Sequence, residues 1–442
     1  MKEKEPVMKR RRFAMTVWAL VLCPLMQLAA TQATAQVESP YGPKYKAGKE
    51  PPRIIAGPYL QSPADDSMTV MWMTDKNSTA WVEYGAKEPL DHKAVSEHDG
   101  LIDANTRVHR VRLSGLTPGT QYRYRVCSAE IVDFQPSSVT FGTTATLAPA
   151  TFKTLSKQMD KVSVLVLNDV HESSETMRAL LDLAKDERAD LVVFNGDSLG
   201  HVESEDQIVR RLLQPVTELF AKTTPLVYVR GNHEARGKWA RMLRDYVATP
   251  NGKYYYSFDA GPVHFVVLDT GEDKEDSHPY YSGLNNFAGY RDEEKQWLAR
   301  EIETRAFREA SFRVVFMHMP PFSARGEGSR RGAGAQTPAR SQRPAGSQRP
   351  AGTQRGGTAD CFEKFAPLLN KGKVDLLITA HTHRYAYLEP KPGEHDYPMV
   401  NGGGPNKGRA TLIRLDADKN RIELTMTRDD GEVLEKREIR RK

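Results

Sequence analysis

Long apolar runs are nearly absent from this 442-residue chain. The one candidate, residues 13–30, is broken by Pro24 and Gln27 and falls short of the ~20 uninterrupted apolar residues that a membrane span needs. It follows Lys9, Arg10, Arg11 and Arg12 and precedes the small-residue stretch "ATAQ" at 33–36. That layout reads as an export signal over residues 1–35, cleaved near Ala35/Gln36. The mature chain is therefore expected to be secreted or periplasmic, with no transmembrane helix. Glu3 and Glu5 are unusual in such a leader, so translation starts at Met1 or Met8.

Cysteine is also scarce. Of three, Cys23 lies in the leader, and Cys127 and Cys361 fall in segments assigned to different domains, which argues against a disulfide framework. Leu22, where a small residue would be needed, argues against lipidation at Cys23. A dominant charge is missing as well, despite the net +6. The leader supplies +4 and residues 323–358 supply +6, so the remaining body carries −4. No obligatory nucleic-acid partner is expected of such a body. The composition, 39% hydrophobic and 8% aromatic, excludes a disordered chain and suffices for two or three domains. Oligomeric state is not set by any of this.

Residues 36–52 form a polar, Pro-rich linker. Short alternating segments follow over 53–145, at the spacing of an all-β sandwich. In "SMTVMWMT" (67–74) Val70 and Trp72 share a face, and in "TQYRYRV" (120–126) Tyr122, Tyr124 and Val126 do. With the turn "GLTPGTQY" before a tyrosine corner, this part resembles an immunoglobulin/fibronectin III-like module, and nothing in it reads as catalytic.

From residue 160 to 440 strands alternate with helical stretches such as "SETMRALLDLAKDE" (174–187), which predicts an α/β domain. Strand after strand ends in groups that bind metal. "VSVLVLNDVH" supplies Asp169 and His171, "ADLVVFNGDS" Asp197, "TPLVYVRGNHE" Asn232, "SFRVVFMHMPP" His318, and "VDLLITAHTH" His381 and His383. Two histidines in a polar loop would mean little alone; seven such groups at strand ends suit two ions. A carboxylate can bridge two cations ~3.5–4 Å apart, and Asp197 is the natural bridge. Imidazoles and an amide with only two carboxylates favour Mn, Fe or Zn over Ca or Mg. Between residues 323 and 358 the sequence reduces to Gly, Ala, Arg, Gln and Pro, with "SQRPAG" repeated, and reads as a disordered insertion whose removal would be tolerated.

The order Asp-x-His, Gly-Asp, Gly-Asn-His-Glu, His, His-x-His resembles the calcineurin-like metallophosphoesterases, and the preceding sandwich resembles the purple acid phosphatase arrangement. The resemblance implies a central β-sandwich flanked by helices. It implies that Asp169, His171 and His383 hold one ion, that Asn232, His318 and His381 hold the other, and that Asp197 is shared. It gives His233 the task of protonating the leaving group, with Glu234 as its candidate orienting partner. Two features depart from the family. Ala380 stands where glycine is usual, and Gly200 and His171 replace the purple members' tyrosine and glycine, so no iron-tyrosinate colour is expected.

The function expected is hydrolysis of phosphomonoesters through attack of a metal-bound hydroxide on phosphorus. A phosphodiesterase on the same ions is the alternative, and a cell-surface binding protein with a vestigial metal site is a third. His201 follows Asp197 closely enough to line the pocket and touch substrate together with Asn232 and His233. His264, inside an apolar strand, reads as a packed sheet residue, and "GGGP" (402–405) as a tight turn near the site.

Overall fold

The protein is described by a computed structural model covering residues 44–45, 50–322 and 356–441. The expected signal peptide and nearly all of the expected insertion lie outside the described residues. Among the described residues, the six longest strands of the first sandwich are β1 (Ile54–Gln61), β2 (Ser67–Gly85), β3 (Thr106–Ser114), β4 (Gln121–Gln135), β5 (Ser138–Thr146) and β6 (Ala150–Lys153). Tyr122, Tyr124 and Val126 fill its core beside Val70 and Trp72. The Tyr122 hydroxyl accepts the Thr117 N–H at 2.9 Å, which makes the expected tyrosine corner. β6 pairs with β4, so the sandwich's last strand lies beyond residue 145.

β2 is apolar on both faces. Met68, Val70 and Trp72 enter the sandwich core, whereas Met71 and Met73 enter a second core with Leu165, Phe194 and Tyr228 of the following domain. A strand covered on both sides loses its alternation.

The second domain contains β7 (Lys161–Leu167), β8 (Leu191–Asn195), β9 (Leu226–Val229), β10 (Tyr256–Ala260), β11 (Val263–Leu268), β12 (Phe312–Met317), β13 (Leu376–Thr379), β14 (Ala386–Leu388), β15 (Met399–Asn401), β16 (Thr411–Asp418), β17 (Arg421–Arg428) and β18 (Val433–Arg440). One of its two sheets runs β10-β11-β12-β13-β15-β14. The other runs β18-β17-β16-β7-β8-β9 and continues through β1 into the first sandwich. β7, β8 and β9 are parallel, as are β11, β12, β13 and β15.

The two sheets face each other across Val164, Val166, Val193 and Val229 on one side and Phe265, Phe316 and Ile378 on the other. Helices cover the outer faces. α1 (Ser174–Asp182) is capped by the Ser173 hydroxyl and stops five residues short of the helical stretch read from sequence. α2 (Phe287–Glu301) and α3 (Gly357–Lys371) pack Leu298, Phe365 and Leu369 on the sheet that holds β11, β12 and β13. Each fully buried Val, Leu or Phe contributes about 1.5–3 kcal/mol, so layering rather than helix or strand propensity fixes the arrangement. Its consequence is that parallel strands of both sheets end at one place.

Candidate metal centre

Each expected donor lies within four residues of a strand's carboxyl end. Asp169 and His171 follow β7, Asp197 follows β8, Asn232 follows β9, His318 follows β12, and His381 and His383 follow β13. The fold brings all seven together. One carboxylate or imidazole atom each of Asp169, His171, Asp197 and His383 lie mutually within 4.8 Å, and so do those of Asp197, His318 and His381, so Asp197 belongs to both groups. Asn232 joins the second group through its amide oxygen, 3.1 Å from His318 Nε2 and 2.9 Å from His381 Nδ1.

The backbone is bent to achieve this. Asp169, His171, Asp197, His381 and His383 all have positive φ, between +41° and +69°, a region that side chains with Cβ seldom occupy. The left-handed step before the last two histidines falls on His381 (φ +69°) and not on Ala380, which is why alanine is accommodated there. Gly231 is required by space, because a Cβ on it would lie 2.2 Å from Asp197 N and Oδ1.

The donors fit cations and fit poorly without them. His318 Nδ1 donates to the Asn195 carbonyl at 3.0 Å, so a neutral ring presents its Nε2 lone pair to two acceptors, Asn232 Oδ1 and Asp197 Oδ2 at 3.2 Å. Only a proton or a cation resolves that contact. Burial opposes charge on the ring, yet Asp197 and Asp169 hold its pKa up to about 10, a measure of the negative potential there. Asp169 Oδ1 is buried with no hydrogen-bond partner among the described residues. Nε2 of His171 faces Nε2 of His383 at 3.1 Å, again with room for at most one proton between two lone pairs. Donors of this mixed nitrogen and oxygen type suit Mn, Fe or Zn.

Around the donors, Glu234 differs from expectation. Its fully buried carboxylate accepts the backbone N–H of Asp197 (3.0 Å), Leu199 (2.8 Å) and Gly231 (2.8 Å), so it ties the β8 and β9 loops together rather than orienting His233. Burial, with the nearby Asp197 carboxylate, pushes its pKa up to about 7. The His233 ring is held instead by the Gly200 carbonyl, to which Nδ1 donates. Its Nε2 lies 3.9 Å from Asp197 Oδ2. The exposed His201 ring lies 5.3 Å from that of His233, and the His171 ring meets His233 edge-on at 4.8 Å.

"GGGP" is not itself a tight turn. None of Gly402, Gly403 and Gly404 has positive φ, and the turn comes at 407–409. A Cβ on each would lie 2.1 Å from Asn168 Nδ2, 1.9 Å from the Arg409 carbonyl and 2.4 Å from His383 Cβ, respectively. The three glycines let one segment pass close behind the donors. Sequence reading also passed over Glu172, a polar residue beside a donor with no periodicity to mark it.

The family model of the calcineurin-like phosphoesterases matches residues 162–385, just over half of the chain. The chain belongs to the calcineurin-like phosphoesterases. Residues 56–154 match the purple acid phosphatase N-terminal domain, so this phosphoesterase carries both parts expected from the sequence. It is 24% identical over 380 residues to the acid phosphatase type 7 of Mus musculus, covering 82% of this chain and 77% of that one. Purple acid phosphatase 23 of Arabidopsis thaliana is 26% identical over 219 residues, 42% of this chain and 46% of the relative. Among solved structures, the purple acid phosphatase PPD1 from yellow lupin seeds superposes with a TM-score of 0.61 at 17% identity, covering 87% of this chain and 74% of that one. A structure of PhoD gives 0.56 at 11% identity, covering 89% and 94%. Cys127 and Cys361 are buried free thiols, and no helix among the described residues is long and apolar enough to cross a membrane.

Proposed function

We propose that this phosphoesterase hydrolyses phosphate monoesters with two divalent ions, Mn, Fe or Zn. The observation that carries the reading is the pair of donor groups sharing Asp197. Asp169, His171 and His383 would hold one ion, Asn232, His318 and His381 the other, and Asp197 both. When bound, such a pair supplies Lewis acidity toward phosphoryl oxygens and a water acidified toward neutral pH.

The chain's own residues do the rest. His233 keeps Nδ1–H on the Gly200 carbonyl, which leaves Nε2 on the side of Asp197, 3.9 Å from its Oδ2, where it can hold a proton for the departing alkoxide. Glu234 fixes the loop on which Asp197 stands. Asn232 and His233 are adjacent on the β9 loop, and with the neighbouring His201 they form the wall against which a phosphate ester would lie. The sequence of residues 1–35 supports export before this chemistry takes place, testable by finding Gln36 at the amino end of the mature protein.

The direct test loads the full-length protein with each metal and compares an aryl phosphate with its bis-aryl ester. Faster turnover of the monoester, with two ions per chain, is expected; turnover confined to the diester would overturn the monoesterase reading. Asp197→Asn should leave fewer than two ions and lower turnover by at least ~100-fold, as expected for a ligand common to both ions. Full metal content and activity in that variant would remove Asp197 from its bridging place.

A further inference from the structure

A carboxylate that no part of the mechanism uses is bonded to Gly200, the residue whose carbonyl holds the His233 ring. We propose that Glu172 is a positioning residue for His233, acting through Gly200 to fix which imidazole nitrogen faces the leaving group. The inference rests on the role given to His233 above.

Glu172 has φ +67°, a conformation costly for a residue with Cβ, and its N–H donates to the Ser198 carbonyl at 2.8 Å. This places the side chain across the β8 loop. Its Oε1 accepts the Gly200 N–H at 2.8 Å and Gln207 Nε2 at 2.7 Å. Gln207 is itself oriented, because its Oε1 accepts the Glu203 N–H at 2.8 Å. A donor train therefore ends on one carboxylate oxygen, which grips the amide side of Gly200.

The other side of Gly200 does the positioning. Its carbonyl can only accept, so the contact from His233 Nδ1 requires that Nδ1 carry the hydrogen. The tautomer with a bare Nδ1 would place two acceptors against each other. The Nε2 edge is thereby kept toward the candidate donors, 3.9 Å from Asp197 Oδ2. The N–H and the carbonyl of Gly200 belong to adjacent peptide planes joined at its Cα, so a bond that pins the first plane narrows the range over which the second, carrying the carbonyl, can swing. The fit is close, since a Cβ on Gly200 would come within 3.2 Å of Glu172 Oε1. The same loop carries His201, so the grip sets the place of both imidazoles.

Both hydrogen bonds end on Oε1, and this gives the test its conservative control. Glu172→Gln keeps the acceptor, whereas Glu172→Ala removes it. In the full chain with zinc added and nitrogen-15-labelled histidine, wild-type His233 should be the Nδ1–H tautomer. Glu172→Ala should turn it into a tautomer mixture, and Glu172→Gln should restore it. On an alkyl phosphate Glu172→Ala should lower kcat by about 10–100-fold, and on an activated aryl phosphate by less than ~3-fold, with KM and metal content unchanged. Gln207→Ala, which removes only one bond to the carboxylate and stands clear of the donors, should shift the tautomer in the same direction by less, and it serves if Glu172→Ala does not fold. An unchanged tautomer in both alanine variants, equal losses on the two substrates, or Glu172→Gln as impaired as Glu172→Ala would each overturn the proposal. If the wild type hydrolyses neither ester, the phosphatase reading fails, and the tautomer measurement alone decides Glu172.

Discussion

Asp169, His171, Asp197, His381 and His383 hold left-handed backbone and make up five of the eleven such non-glycine positions among the described residues. Each costs about 1–3 kcal/mol and persists only where surroundings enforce it. Here the enforcement is visible: His381 N–H donates to Asp169 Oδ2 at 3.0 Å, and His233 N–H to Asp197 Oδ1 at 3.0 Å. The donors were legible in the sequence because each ends an apolar strand. The residues that hold them were not. Glu172 reaches partners 28 and 35 positions away, and Glu234 was assigned to the wrong neighbour because adjacency in sequence suggested His233. The donor identities themselves make a prediction. Two carboxylates, four imidazoles and an amide include no phenolate, and the third residue after Asp197 is Gly200. Protein loaded with iron and oxidised should therefore lack an intense tyrosinate-to-iron band in its visible spectrum. Such a band, at full iron content, would show that a tyrosine enters the centre.

At the scale of elements, loops of different strands meet with no space to spare. Gly404 runs behind His383, where a Cβ would stand 2.4 Å from the histidine's own Cβ. Gly404→Ala should displace His383 and weaken by about 10-fold or more the binding of the ion that His383 would hold, as for other supports of a ligand, while the ion that Asn232, His318 and His381 would hold is unaffected. Metal titration followed by calorimetry would read this, and two unaltered affinities would refute it. The sequence showed a glycine run but not its cause, since close approach leaves no local pattern.

Far from the centre, β10, β11 and α2 are joined by one imidazole. His264 is buried, with Nδ1 2.6 Å from Asp259 Oδ1 and Nε2 3.0 Å from Glu301 Oε1, while its ring edge meets Phe307. Lys157 pairs with Asp259 at 2.9 Å, and the Ser257 hydroxyl donates to Glu301 at 2.9 Å. Burial opposes the charged ring, but the two carboxylates outweigh it and raise its pKa. A raised folded pKa stabilises the fold fully below the unfolded value of about 6.5, and the contribution is lost as pH rises through the folded value. Asp259, held low by His264 and Lys157 despite burial, loses its share only in acid, below its depressed value. The melting-temperature advantage of wild type over His264→Gln should thus be largest near about pH 6 and shrink as pH rises. An advantage that stays constant with pH would mean that the ring is neutral.

Taken whole, the molecule is more tightly joined than two domains in sequence suggested. β1 pairs with β9 at Gln61 and Leu226, Tyr59 donates to the Tyr246 carbonyl at 2.9 Å, and Ala248 N–H donates to Gln61 Oε1 at 2.7 Å. Tyr124, from the sandwich core, reaches the Lys222 carbonyl at 2.8 Å. The change of pattern near residue 160 was legible because alternating strands gave way to α/β rhythm. The joint was not, although its signal was present: Met71 and Met73 are apolar on the face of β2 that an isolated sandwich would turn to water. With both methionines fully buried in the core shared with Phe194 and Tyr228, loss of that core should reach both domains at once. Met73→Ala should cost about 2–5 kcal/mol, the range for emptying such a site. Hydrogen exchange read by mass spectrometry should show the sandwich strands β2 and β4 and the phosphoesterase strands β8 and β9 losing protection together, since one cooperative unit opens as a whole. Lost protection confined to β2 and β4 would show that the sandwich unfolds by itself and that the shared core does not couple the two.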